Sequence, residues 1–290
     1  FTHYDDTFTV SVDNHVRPTA AFFNLFSKKS FHISRFLSKD FEKKLVEVLS
    51  QNQFDVVQLE TLYLAPYVET IRQHSDALVV MRSHNVEHEI WQRIAENASF
   101  LPKKKYLEYL ASKLQLFENQ ALNSYDLLLA ISERDRLHFE KSGLKIPSKT
   151  IPIGLDCREY EPNFKSFGKA VSLSFIGSLD WMPNLEGLKW FLYEVWQPIL
   201  SREHPELTFH IAGRNTPRWL RQLGWKNVVI HGEVASAADF INQHSVMIVP
   251  LLSGSGMRAK ILEGMALGKV VISTSLGIEG ISAEANKEAL

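Results

Sequence analysis

Leu251-Leu252-Ser253-Gly254-Ser255-Gly256-Met257-Arg258-Ala259-Lys260-Ile261-Leu262-Glu263-Gly264-Met265-Ala266-Leu267-Gly268-Lys269 decides how the rest of the chain is read. The apolar run Val246 to Pro250 precedes it and reads as a buried strand. A second run, Val270 to Ser273, follows it. The Gly/Ser loop and short helix between them make a strand–loop–helix–strand unit of a parallel sheet. Glycines let the backbone come close to a ligand. A helix N-terminus offers unpaired N–H groups and the positive end of a dipole to an anion. Arg258 and Lys260 fall in the first turn, where cations oppose the dipole unless an anion is bound. Glu263 shares the face of Lys260. Ile261, Leu262, Met265 and Ala266 fall on the other side, toward the core. Two cations and a carboxylate beside a glycine loop suit a diphosphate and a pair of sugar hydroxyls. The alternative is an ordinary surface helix with one salt bridge.

The chain has 290 residues, 45% of them hydrophobic, enough for two domains with separate cores. A net charge of -1 gives no global pull toward nucleic acid. The single Cys157 excludes an intrachain disulfide framework and fits a reducing compartment. No apolar run approaches the roughly eighteen residues of a spanning helix, and nothing resembles a signal peptide. The chain starts at Phe1 and stops soon after a strand, so both ends are expected to be incomplete.

In order, Phe8–Val12 alternates and reads as a strand. The segment 18–36 mixes Phe22, Phe23, Phe26, Phe31 and Phe36 with Lys28, Lys29 and Arg35. That composition suits a membrane interface or a lipid-bearing acceptor, or else aromatics packed into the core. Ser38–Ser50 is an amphipathic helix. Phe54–Leu59 reads as a short buried strand and Leu62–His74 as helical. Ala77–Met81, another buried strand, delivers Arg82-Ser83-His84-Asn85-Val86-Glu87 to its C-terminal edge, where doubly wound sheets bind ligands. His84 is placed there like a functional residue, although a lone histidine is more often structural. Glu87–Asn97 and Lys103–Asn123 are helices, with Lys103-Lys104-Lys105 a solvated cluster before the longer one. Leu127–Ile131 is a strand ending at Ser132. The polar segment 161–169 reads as an interdomain linker. Val171–Ile176 is a strand running into Gly177-Ser178-Leu179-Asp180-Trp181-Met182-Pro183-Asn184, with Asn184 as cap of a helix from Leu185 to Leu200. Leu207–Ile211 and Val228–His231 are strands, followed by Ala212-Gly213-Arg214 and Gly232-Glu233-Val234.

The stretch from Gly254 to Lys269 resembles the donor-site helix of GT-B glycosyltransferases of the GT4 type, in the subgroup reading Gly-x-Gly-x-Arg-x-Lys-x-Leu-Glu-x-Met-Ala-x-Gly-Lys. Ser132 and the segment Thr150–Asp156 resemble further family turns, and the likeness covers roughly residues 50–280. It implies an α/β chain of two Rossmann-like domains facing across a cleft. These are an N-terminal acceptor-side domain over 1–160, the linker over 161–169 and a C-terminal nucleotide-sugar domain over 170–290. It implies that Arg258 and Lys260 hold the donor diphosphate, that Glu263 accepts the ribose hydroxyls, and that Gly254, Ser255, Gly256, Gly177 and Gly213 line the donor. It also implies that His84 lies near the donor sugar, with Asn85 and Glu87 on the acceptor side. The activity implied is transfer of a hexosyl-type sugar from a nucleoside diphosphate sugar to a glycan or lipid-linked acceptor, in polysaccharide biosynthesis. Retention of configuration is implied, with no resident cofactor or metal, since no Asp-x-Asp or zinc-spaced Cys/His cluster is present. The setting implied is cytoplasmic, with peripheral contact at the inner face of the membrane. Two departures matter. The family's Glu-x7-Glu has Ser255 at its first position, and the 177–184 turn lacks the Arg and Lys that many members use on phosphates. They keep open a nucleotide-sugar-binding subunit without turnover and a GT-B-shaped sugar-nucleotide epimerase.

Overall fold

A computed structural model describes residues 6–15, 19, 23–24, 26–27 and 29–283. The chain is a pair of Rossmann-like α/β units that divide between Ile151 and Pro152. The polar segment 161–169 packs on the second unit. Buried Lys269 donates from Nζ to the Asn163 carbonyl at 2.5 Å and to Ser166 Oγ at 3.2 Å. A side chain on Gly268 would lie 2.6 Å from the Phe164 ring, so the segment is seated closely.

The first unit carries a four-stranded parallel sheet in the order β1-β2-β3-β4. The strands are β1 (Val56–Leu59), β2 (Leu78–Ser83), β3 (Leu127–Ala130) and β4 (Ser148–Thr150). Its core joins Leu59, Ile71, Val79, Met81 and Leu114. The helix Lys39–Gln51 starts at Ser38, whose hydroxyl accepts from the Phe41 N–H, and Ser132 caps Glu133–Lys141 through Asp135.

Several expectations are corrected. Phe8–Val12 forms no strand; it is extended and mostly exposed, and Phe8 lies under the Lys44 ammonium at 4.6 Å. Alternation alone fixes no strand without a partner edge. Strand β1 is an edge strand with Val56 half exposed, not a buried one. Residues 62–74 form a 3-10 segment around Pro66, Leu62–Tyr67, before the α-helix Val68–His74. The lysines 103–105 lie inside the helix Leu101–Ala121, because Pro102 suits a first turn and starts it early. Of the aromatic segment, Phe31 is buried and Phe36 packs on Tyr63 at 4.4 Å, while Phe23 and Phe26 are exposed. Phe22 and Lys28 lie outside the described residues.

The second unit has five parallel strands: β5 (Ser172–Ile176), β6 (Thr208–Ala212), β7 (Val228–Gly232), β8 (Val246–Val249) and β9 (Val270–Ser273). Their order is β7-β6-β5-β8-β9. The chain winds outward from β5 in one direction and then from β8 in the other, so β5 and β8 are neighbours at the topological switch point. Trp196, Phe191 and Phe209 fill the core under one face, with Trp196 and Phe209 centroids 5.3 Å apart. The helix expected from Leu185 starts instead at Met182, with Trp181 as its cap residue and Pro183 in its first turn. Asn184 is therefore not a cap; its side chain turns inward. The helix ends at Trp190 and continues as a π-helix, Phe191–Leu200, through Pro198, which has no N–H for the ordinary ladder. Among the described residues no helix is long and apolar enough to cross a membrane.

Gly187 lets the helix Met182–Trp190 lie against the backbone after β8: a Cβ there would stand 2.0 Å from the Pro250 carbonyl oxygen. Gly187→Ala is expected to destabilise the second unit by about 1–3 kcal/mol, as overpacking does. Gly154→Ala, with nothing within 4 Å of its Cβ, is expected to leave urea unfolding unchanged. Equal midpoints for the two variants would refute the close approach.

Candidate functional site

At the switch point, β5 ends at Ile176 and passes into Gly177, while β8 leads through Pro250 into the loop 251–258. The loop needs its glycines, since Gly254 has φ 126° and Gly256 φ 76°. Arg258 is the cap residue of the helix Ala259–Ala266, and its Nη1 donates to the carbonyls of Ser255 and Gly256. The arginine thus closes the loop on itself. Ser253 donates to Glu186 Oε2 at 2.6 Å, and Thr274 donates to the Leu251 carbonyl at 2.6 Å, so the loop is braced from both sides. Ser255 is buried and its carbonyl is taken by Arg258.

Lys260 is the centre of this arrangement. The residue as a whole is half-buried, and its ammonium is turned onto the end of β5 and the helix after it. Nζ donates to the Ile176 carbonyl and to Asn184 Oδ1, each at 3.2 Å, and stands 5.2 Å from the Phe175 ring centroid. Burial first, and then the Arg258 charge, pull its pKa down to about 8, against a smaller opposing pull from Glu263. Asn184 is itself held, donating from Nδ2 to the Ser178 carbonyl at 2.9 Å. A side chain at Gly177 would meet both Lys260 Nζ and Asn184 Nδ2 at 2.9 Å. Glu263, three residues on, accepts from the Tyr160 hydroxyl at 3.4 Å. Of the apolar face read from the sequence, Ile261 is fully buried, whereas Leu262, Met265 and Ala266 are half-buried; Gly264 completes the inner face.

The turn after β6 lies against the turn after β5. A Cβ on Gly213 would fall 1.9 Å from the Gly177 carbonyl oxygen. Arg214 Nε donates to Ser178 Oγ at 3.1 Å, Ser178 Oγ donates to Asp180 Oδ1 at 2.6 Å, and Asn215 Nδ2 donates to Asp180 Oδ2 at 2.8 Å. Beside them a cavity of about 380 Å³ is lined by Gly213, Asn215, Thr216, Arg221, His231 and Glu233. The sequence reading placed Gly177, Gly213, Gly254, Ser255, Gly256, Arg258, Lys260 and Glu263 in one site, and all eight lie on the C-terminal edge of this sheet or on the helix that follows its loop. It missed the inward Asn184, for which the only signal was the Asp-x-x-Pro-Asn string.

In the first unit, His84, Asn85 and Glu87 follow β2 at its C-terminal edge. His84 Nε2 is 2.7 Å from Glu60 Oε2, and Arg82 Nη1 is 3.4 Å from the same oxygen. Burial opposes ionisation of Glu60, but hydrogen bonds from His84 and Gln58 and the Arg82 charge hold it below the usual carboxylate range. Glu87 is buried, accepting from Tyr63 OH at 3.0 Å and from Asn85 Nδ2 at 3.4 Å. Burial first, and then the neighbouring Glu118, push its pKa up to about 7. Glu118 accepts from the Glu87 N–H at 3.0 Å and the His88 N–H at 3.4 Å, and so fills the start of the helix Glu87–Glu96. Glu60, Tyr63 and Glu118 were missed, because each sits far along the chain from the residue it holds.

Two parallel α/β units with ligand-ready edges are the GT-B architecture, and comparisons with known proteins agree. Residues 170–289 match the family model described as glycosyl transferases group 1. The uncharacterized 44.6 kDa protein in the cps region of Klebsiella pneumoniae is 28% identical over 249 residues, 82% of this chain and 61% of that protein. Sucrose-phosphate synthase from Thermosynechococcus elongatus superposes with a TM-score of 0.65 at 14% identity, over 84% of this chain and 61% of that one. Anabaena HepE in complex with UDP gives 0.60 at 14% identity, over 82% and 64%. The solved structures show the GT-B fold, the family match lies within residues 170–289, and the chain spans about 61% of the length of the curated relative it matches.

Two titrations test the buried charges. Between pH 8 and 10.5 the unfolded chain carries a proton that folded Lys260 has shed, so stability is expected to rise with pH in that window and to have no such slope below it. Lys260→Met is expected to abolish the rise; a wild type flat from pH 8 to 10.5 would place the ammonium in water. Glu87 is the reverse case. Between pH 4.5 and about 7 the folded carboxyl keeps a proton that the unfolded one loses, so stability is expected to fall as pH rises. Glu87→Gln is expected to remove that fall in chemical unfolding across the window.

Proposed function

We propose that this chain is the core of a glycosyltransferase that moves a hexosyl-type sugar from a nucleoside diphosphate sugar to a glycan or lipid-linked acceptor, as in polysaccharide biosynthesis of the GT4 type. The observation that carries the reading is the Lys260 ammonium, buried at the switch point under a glycine turn and a glycine loop. A desolvated cation without a carboxylate ion partner is costly unless an anion completes it. A diphosphate supplies that anion. As the nucleoside diphosphate leaves, its growing charge is met by Lys260, by the loop amides and by Arg258, which needs no metal ion. Glu263 takes the ribose hydroxyls with its second oxygen, and His84, fixed by Glu60, is the first unit's candidate for contact with the donor sugar. Retention through a front-face path, with the departing phosphate taking the acceptor proton, fits a site in which no carboxylate nucleophile has been identified. The cavity beside Gly213 accommodates the base. The place of work in this reading is the cytoplasm, with peripheral contact at the inner membrane face.

A second reading, a nucleotide-sugar-binding subunit without turnover, is favoured by Ser255. It stands where the family has a sugar-facing glutamate, and it is buried with its carbonyl engaged. Release of nucleoside diphosphate from donor in the presence of acceptor extract separates the two readings.

The donor site itself is tested by calorimetry. UDP is the first probe, because it is the ligand of the similar HepE structure. Lys260→Ala is expected to weaken UDP by roughly 1.5–3 kcal/mol, the range of a charge-assisted contact, and uridine hardly at all. Equal losses for both ligands would make Lys260 structural. Glu263→Gln is expected to shrink the preference for UDP over its 2′-deoxy analogue, since the preference comes from the carboxylate left unpaired. A wild type that binds both equally would remove the ribose assignment.

A further inference from the structure

The turn 177–184 contains no lysine or arginine. The structure brings a cation to it from another strand. The N–H of Gly177 donates to the Ala212 carbonyl at 3.2 Å, and that of Leu179 to the Arg214 carbonyl at 3.0 Å, so the turns after β5 and β6 are stitched together. Their contact is close enough that Gly213 admits no side chain. Arg214, exposed, lays its guanidinium along this seam and donates from Nε to Ser178 Oγ. Lys260 Nζ also stands at Gly177, 2.9 Å from where a Cβ would lie. The Gly177–Ser178 step is thus flanked by two cations from two different elements, and the helix that begins at Met182 follows it directly.

A structural role for Arg214 would be to satisfy Asp180. That carboxylate already has a partner on each oxygen, Ser178 on Oδ1 and Asn215 on Oδ2. Asp180 attracts Arg214 through space but does not consume its donors. Among the described residues the guanidinium makes one hydrogen bond, through Nε, which leaves the two terminal NH2 groups as a fork suited to phosphate oxygens.

We propose that Arg214 binds the donor diphosphate together with Lys260, supplying from β6 the cation that the β5 turn lacks. The inference rests on the nucleotide-sugar reading. Ser178 orients the guanidinium through Nε, and the terminal fork takes the phosphoryl oxygens that Lys260 does not reach.

The test is calorimetry with UDP, GDP and ADP on the whole chain, followed by the monophosphate and nucleoside of whichever binds tightest. Arg214→Met is expected to weaken the diphosphate roughly ten-fold or more, the monophosphate less and the nucleoside not at all. Arg214→Lys is expected to restore part of the loss, and inorganic pyrophosphate is expected to compete with the diphosphate in wild type more strongly than in Arg214→Met. Thermal unfolding without ligand is expected to stay close to wild type for both variants. A wild type that binds a diphosphate with Arg214→Met unchanged, or with diphosphate and nucleoside weakened alike, overturns this assignment and leaves the donor site standing. A wild type that binds none of the three diphosphates overturns the donor reading and this one with it.

Discussion

One lysine ammonium holds the second unit's switch point together. Lys260 comes from the helix after β8, yet its charge rests on a carbonyl at the end of β5 and on an amide in the helix after it. Two stretches far apart in sequence, 176–184 and the helix after β8, therefore meet at one atom. Gly177 must stay bare for that atom to fit, and Asn184 must face inward to receive it. The cost of desolvating the cation shows in its lowered pKa. Fold and chemistry are tied at this point, because the group that knits the switch point is also the one that most needs an anion.

The two units treat helix beginnings in opposite ways. In the first, Glu118 reaches from the long helix to the start of Glu87–Glu96 and provides a protein carboxylate to its N–H groups. That end is closed, and the charge crowding it creates is absorbed by Glu87, which holds its proton to near neutrality. In the second, the helix Ala259–Ala266 starts behind a glycine loop and carries a lysine in its first turn. A cation in the first turn opposes the helix dipole. The first arrangement fills a helix start with a carboxylate; the second places a lysine in the first turn.

Much of the second unit was legible in the sequence because its signals are local. Val246–Val249, the glycine loop, the short helix and Val270–Ser273 follow one another within a single βαβ unit, and hydrophobic runs with glycine breaks report such a unit directly. What stayed hidden depends on partners distant in sequence. Asn184 looks like a cap by type and position; its true partner is 76 residues away. The segment 161–169 is polar and loop-like by composition, and only its distant partners Asn242, Ser245 and Lys269 show it to be anchored. Phe8–Val12 has the right alternation but no edge to join. Glu60 is an unremarked carboxylate until parallel pairing of β1 with β2 sets it beside His84.

Gly177, Gly187 and Gly213 have a common property: at each, the space a methyl group needs is already filled by an atom of a neighbouring segment. Gly177 and Gly213 cannot change independently, since a side chain on Gly213 displaces the Gly177 carbonyl. The side chains on the rim, at 178, 180, 214 and 215, are under no such constraint: they are partly or fully exposed. A fixed floor with an open rim lets the chemistry of the rim change without redrawing the sheet that carries it.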